Sequence, residues 1–171
     1  RQIHYAHGAS GTEYGLLPIS NDQGLGVLVW GPLAAGLLSG KHRHDTKTPE
    51  GSRQLAGWTE PPIREVERLW RIVDVLVSIG QERGVSAAQI ALAWLLERPA
   101  VTSLVIGGRN EAQFRDNLAA AELKLTAEER QRLDEVSAPL VLYPYWHQLL
   151  TASDRLGEAD MPLLRPYLDK P

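Results

Sequence analysis

The sequence predicts an α/β protein built on parallel strands with helices outside them, and three observations carry that reading. Short apolar runs alternate with longer helical patterns along the chain. The runs are short, β-branched and end in glycine- or proline-containing loops, as buried strands do. A helical pattern lies between each run and the next, and a strand–helix–strand order makes neighbouring strands parallel. Three strands are too few for a closed barrel and few for an open sheet. The count therefore points to a portion beyond these 171 residues.

In chain order, Gln2–Tyr5 reads as a strand entered midway, since the first residue is Arg1 rather than methionine. Thr12 to Gln23 reads as a helix with Leu16, Leu17 and Ile19 on one side and Gly24 as its stop. Pro18 sits inside that pattern, so the helix starts near it or bends. Leu25–Trp30 is the second strand. The longest helix is expected from Pro62 to Arg83, with Ile63, Val66, Leu69, Trp70, Val73, Leu76 and Val77 forming one apolar stripe. Pro62 suits a first helical position and Gly84 a stop. Ser86 to Gln89 has capping-box spacing and opens a helix through Glu97, which must end before Pro99. Val101–Ile106 is the third strand, and further helices open at Asn110 and Thr126. Residues 42–60 and 138–171 are rich in proline, glycine and polar residues and read as long loops.

Composition removes several function classes. A 43% hydrophobic and 23% charged chain is ordinary for a globular protein. Net charge is −3 without a long basic run, which argues against a nucleic-acid partner. The absence of cysteine excludes disulfides and thiolate metal sites and fits a reducing compartment. No apolar stretch approaches the roughly 20 residues that span a bilayer. With no signal peptide visible, a cytoplasmic protein without a membrane partner is expected. His4–His7 and His42-Arg43-His44 have spacings that metal sites use, but no carboxylate cluster accompanies them, so no metal is expected.

Two segments carry chemistry. In Trp30-Gly-Pro-Leu-Ala-Ala-Gly-Leu-Leu-Ser-Gly-Lys41 a strand ends in an aromatic and turns through small residues to a lysine. Parallel α/β proteins bind ligands at the C-terminal ends of strands. An aromatic there can stack on a planar ring, small residues let backbone N–H groups approach phosphate oxygens, and Lys41 adds charge. A core tryptophan followed by a glycine-rich turn fits the same residues. In Ile106-Gly-Gly-Arg-Asn-Glu-Ala-Gln-Phe-Arg-Asp-Asn117 a strand passes through two glycines to Arg109 and a helix N-terminus, an arrangement suited to anions. Gln113 and Asn117 share one helix face and can reach the adenine or ribose end of a nucleotide. A capped helix with solvated polar residues is the alternative.

Together the segments are more specific. WGPLAAGLLSGK resembles the W-S-P-L-A-x-G-x-L-T-G-K segment of aldo/keto reductases. AWLLERPAVTSLVIGGRNEAQFRDNL resembles that family's A-W-x-L-x-x-P-x-V-x-x-x-I-x-G-x-R/S-x-x-x-Q-x-x-x-N region. The likeness covers residues 1–137, and within the tail at 138–171 the stretch from Tyr143 to Asp160 is similar to that of some bacterial members. The resemblance implies the C-terminal part of a (β/α)8 TIM barrel, its sixth to eighth strands with flanking helices, incomplete as given. It implies NADPH as cofactor and a small-molecule carbonyl substrate. Gln2 would then hold the nicotinamide carboxamide and Trp30 stack on the nicotinamide. Gly31, Pro32, Leu33 and Ala34 would follow the pyrophosphate, with Lys41 beside the phosphates. Gly107, Arg109, Gln113, Asp116 and Asn117 would stand at the adenosine end, Arg109 facing the 2′-phosphate. Arg53 matches an arginine of the loop that closes over the cofactor in some members.

Two departures matter. Gly31 stands where the family usually has serine, which removes a hydroxyl contact and should weaken binding without abolishing it. The family's catalytic Asp, Tyr, Lys and His find no match in these residues. The expected function is therefore NADPH-dependent reduction of aldehydes or ketones by the complete protein, with this chain carrying cofactor contacts. The alternative is a non-catalytic or vestigial dinucleotide-binding fragment, which would self-associate if the chain were truly this short.

Overall fold

The computed structural model describes residues 2–4 (as backbone), 15–44, 47, 50, 63, 65–138, 143–158, 160, 161 and 164. Three parallel strands form one sheet in chain order, β1 (Gln2–His4), β2 (Val27–Trp30) and β3 (Val101–Val105). Successive side chains of a strand point to opposite faces. On β2 this buries Val27 and Val29 and exposes Leu28 and Trp30. The register sets Leu28 beside Ser103 and Trp30 beside Val105, and all four are exposed. Among the described residues, the core helices at Val66–Arg83 and Ala87–Leu96 pack on the Val27–Val29 face, and the side chains of the other face are exposed.

Helix α1 (Leu16–Asp22) begins just before Pro18, which places the proline in the first turn, where a missing N–H removes no helical bond. Helix α2 (Val66–Arg83) starts later than its pattern suggested. Pro62 lies outside the described residues, Ile63 is non-helical, and Ile63 and Val66 are both exposed. The stripe meets a core only from Leu69 onward, and packing rather than pattern sets where a helix begins. At the other end Gly84 adopts φ +67°, a left-handed conformation that glycine reaches without a Cβ penalty, and the helix stops.

Helix α3 (Ala87–Leu96) is buried around most of its circumference, because it contacts α2, β3 and the turn at Ala34–Ser39, and on a further side helix α4 (Glu111–Ala119). Its Ser86 cap accepts from the Gln89 N–H at 3.1 Å. Helix α5 (Ala127–Ser137) has a complete capping box, with Thr126 and Glu129 each accepting the other's backbone N–H. Glu129 also pairs with Arg83 at 3.3 Å, tying α5 to α2. The Trp94 indole N–H donates to Asp134 at 2.7 Å, and Arg98 stacks over the same ring while reaching the same carboxylate at 2.8 Å. Valines of β2, the inner faces of α2 and α3, and Leu37, Leu38, Leu125 and Leu133 close into one core.

Residues 138–171 were expected as loop throughout, and this is corrected by helix α6 (Tyr145–Thr151). After Pro144 no glycine or proline interrupts the chain until Gly157, which leaves a short helix sterically allowed.

Candidate functional site

Two chain segments leave the C-terminal edge of neighbouring strands. Trp30 is the last residue of β2, with His4 beside it on β1 and Val105 beside it on β3. It is 42% exposed, on the face opposite Val27 and Val29. Beyond it the backbone turns sharply, with Ala34 at φ +49°, Ala35 at +55° and Gly36 at +96°. A left-handed conformation costs an alanine roughly 1–2 kcal/mol, so this turn carries local strain. Buried Leu37 and Leu38 anchor it, and the Ser39 hydroxyl donates to the Gly36 carbonyl at 2.6 Å. Of the four residues expected to follow a pyrophosphate, Pro32 has no N–H, and that of Ala34 is engaged by the Gly31 carbonyl at 2.9 Å. Gly31 and Leu33 are left as the backbone donors of the four. Lys41 follows, exposed. Burial, with the Lys41 charge adding to it, holds the neighbouring His42 imidazole below its usual value.

Beyond β3 the chain passes through Gly107 and Gly108 to Arg109, and Asn110 caps α4 by accepting the Gln113 N–H at 2.9 Å. A Cβ on Gly108 would meet the Phe114 nitrogen at 2.8 Å and the Asn110 carbonyl at 3.1 Å, so only glycine fits this tight turn. A Cβ on Gly107 would meet nothing within 4 Å, so space opens above it. The polar side chains of α4 reach inward to the fold. Gln113 accepts from the Arg109 N–H at 3.2 Å, and the buried Asn117 donates to the Gly107 carbonyl at 3.0 Å. Asp116 accepts from the Ser86 hydroxyl at 2.7 Å and from the Gln89 amide at 2.6 Å. The Arg109 side chain is exposed.

Register places Gln2 beside Leu28, on the strand that ends in Trp30. Arg53 lies outside the described residues. Ser86 and Gln89 are the polar groups that sequence reading missed at this end of the fold. Their S-x-x-Q spacing signalled a helix start, and nothing in it pointed to Asp116. A shallow cavity of about 270 Å³ lies at the opposite, N-terminal end of the strands, lined by Ser20, Asn21, Leu25, Ala100 and Thr102 among others. Ligands of parallel α/β folds sit at the other end, and the turns described here stand there.

Three parallel strands with helices packed on one face constitute part of an α/β barrel, and the comparisons agree. The model of the aldo/keto reductase family matches residues 2–138, and the chain belongs to that family. It is 36% identical over 124 residues to the uncharacterized oxidoreductase YrpG of Bacillus subtilis, covering 72% of this chain and 36% of that protein. It is 35% identical to a putative voltage-gated potassium channel subunit beta of Schizosaccharomyces pombe, over 72% of this chain and 37% of that protein. L-glyceraldehyde 3-phosphate reductase of Escherichia coli is 32% identical, over 71% of this chain and 36% of that protein. The crystal structure of the thermostable aldo-keto reductase Tm1743 with the inhibitor epalrestat superposes with a TM-score of 0.54 at 26% identity. That likeness covers 79% of this chain and 38% of the other. The chain thus spans little more than a third of the length of the curated relatives it matches.

Proposed function

We propose that the complete protein is an NADPH-dependent oxidoreductase that reduces aldehydes or ketones to alcohols, and that these residues hold the cofactor. The supporting observation is that an exposed aromatic, Trp30, and the glycine–arginine turn before α4 leave adjacent strands at one edge of the sheet. The donor set suits a dinucleotide. Lys41 and Arg109 offer exposed positive charge, Gly31 and Leu33 backbone donors, and the space above Gly107 admits a bulky group. Trp30 would stack on the nicotinamide, Gln2 hold its carboxamide, and Gly31 through Ala34 follow the pyrophosphate, with Lys41 beside it. Arg109 would face the 2′-phosphate, while Gly107, Gln113, Asp116 and Asn117 shape the adenosine end and Arg53 approaches from its loop. When bound, the reduced nicotinamide supplies hydride. Carbonyl reduction also needs a positioned proton donor. A cysteine-free chain suits a reducing compartment, and we place the protein in the cytoplasm.

A second reading, dinucleotide binding without turnover, is favoured by one observation: every residue matched to the family's site serves the cofactor. Fluorescence of the five tryptophans tests the site itself. NADPH should quench the complete protein, and Trp30→Leu should remove most of the quench and weaken binding. An unchanged quench in that variant would assign the signal to another tryptophan and end the stacking assignment. Oxidation of NADPH by a panel of aldehydes separates the enzyme from the binding protein.

A further inference from the structure

His4 has no part in the cofactor site proposed above, yet the register of the sheet brings it there. It ends β1, and its partner on β2 is Trp30, while Gln2 pairs with Leu28. Positions two apart on a strand share a face, and register partners on neighbouring strands share it too. Positions 2, 4, 28 and 30 therefore lie on one face of the sheet, with 4 and 30 at its C-terminal edge. Neighbouring strands run about 4.8 Å apart. A histidine thus stands next to the residue assigned to the nicotinamide ring, and two positions beyond the glutamine assigned to its carboxamide.

We propose that His4 sets the relative affinity of the site for oxidised and reduced cofactor, through the charge that its imidazole gains as pH falls. The inference rests on the dinucleotide reading above. The oxidised nicotinamide ring carries a positive charge that the reduced ring lacks. Histidine is the side chain whose ordinary charge change falls between about pH 5 and 8. A cation beside the ring repels the oxidised form and leaves the reduced form almost untouched. At about 7 Å, and at an effective dielectric nearer to water than to a dry interior, that repulsion lowers affinity by about fivefold. Among the described residues β2 is the strand paired with β1, and Val27 to Trp30 hold no titratable group. Arg1 and Tyr5, the chain neighbours of β1, lie outside the described residues. On the segment that leaves β2, burial holds the His42 imidazole below its usual value, with the Lys41 charge adding to it, so the test must separate His42 from His4.

The test titrates the complete protein with NADP+ and with NADPH from about pH 6 to about pH 8.5, and reads the ratio of the two dissociation constants. The 2′-phosphate also titrates near the lower end, but both forms carry it and it cancels in the ratio. The dissociation constant of NADP+ relative to that of NADPH should rise by about fivefold as pH falls across this range. His4→Gln, which takes up no proton, should hold the ratio flat. His4→Lys, which carries a fixed charge, should hold it high throughout. A flat ratio in the native protein, or the native slope kept in His4→Gln, would overturn the role of His4 and leave the cofactor reading intact. A parallel gain in affinity for both forms at low pH would place the charge of His4 at the phosphates and overturn the inference equally. Failure of both forms to bind the folded native protein would overturn the cofactor reading and this inference with it.

Discussion

Arg109 is held by its backbone, whose N–H donates to Gln113, while its guanidinium stands in solvent. Such a residue has little to do for stability and much to do for a charged ligand. We expect Arg109→Ala to weaken NADPH binding by about 1.5–3 kcal/mol, the value of a hydrogen bond to a charged group, and to leave NADH binding nearly unchanged. Isothermal titration with both dinucleotides measures this, and equal losses would contradict a 2′-phosphate contact. The neighbouring Gly108 shows the opposite economy of design. It touches no ligand in this reading, yet its missing Cβ is what lets the chain turn tightly against Phe114 and Asn110.

Among the elements, two helices begin with the same spacing and use it differently. Thr126 and Glu129 complete a reciprocal box at α5. At α3 the cap forms, but Gln89 turns to Asp116 rather than back to Ser86. The α5 box therefore acts within its own helix, supported by the pairing of Glu129 with Arg83, whereas the α3 start also ties to a second helix. Thr126→Ala should destabilise the protein by about 1 kcal/mol, the usual value of a lost cap, without changing dinucleotide affinity. Thermal melts and NADPH titration of the same variant check both halves. A change in affinity at equal folding would place α5 in the site, against the present account.

At the scale of the whole chain, one face of the sheet carries exposed side chains among the described residues. Leu28, Trp30 and Val105 lie exposed side by side there, and β1 and β3 are the edges of a sheet with no further strand among the described residues. Apolar faces and unpaired edges invite association. The 171-residue chain expressed by itself should accordingly form oligomers, with no aldehyde-dependent oxidation of NADPH. Light scattering that showed a stable monomer would contradict this expectation.

Local pattern was enough to locate the three strands, the stop at Gly84, the caps at Ser86, Asn110 and Thr126, and the two strand-end segments. Each of these depends on residues within a few positions of one another, where backbone sterics and capping chemistry act. Pattern failed at the start of α2 and at α6. In the first, an apolar stripe ran beyond the surface it could bury against; in the second, a polar, proline-flanked stretch concealed a short helix. The count of three strands, too few to close a barrel, already implied unpaired edges and apolar surface that further strands would cover. Membership of Asp116 in the site was anticipated, but not its orientation, because its partners Ser86 and Gln89 lie 30 and 27 residues away. Contacts across that separation arise only when two helices pack, and no local preference encodes which side chain will bridge them.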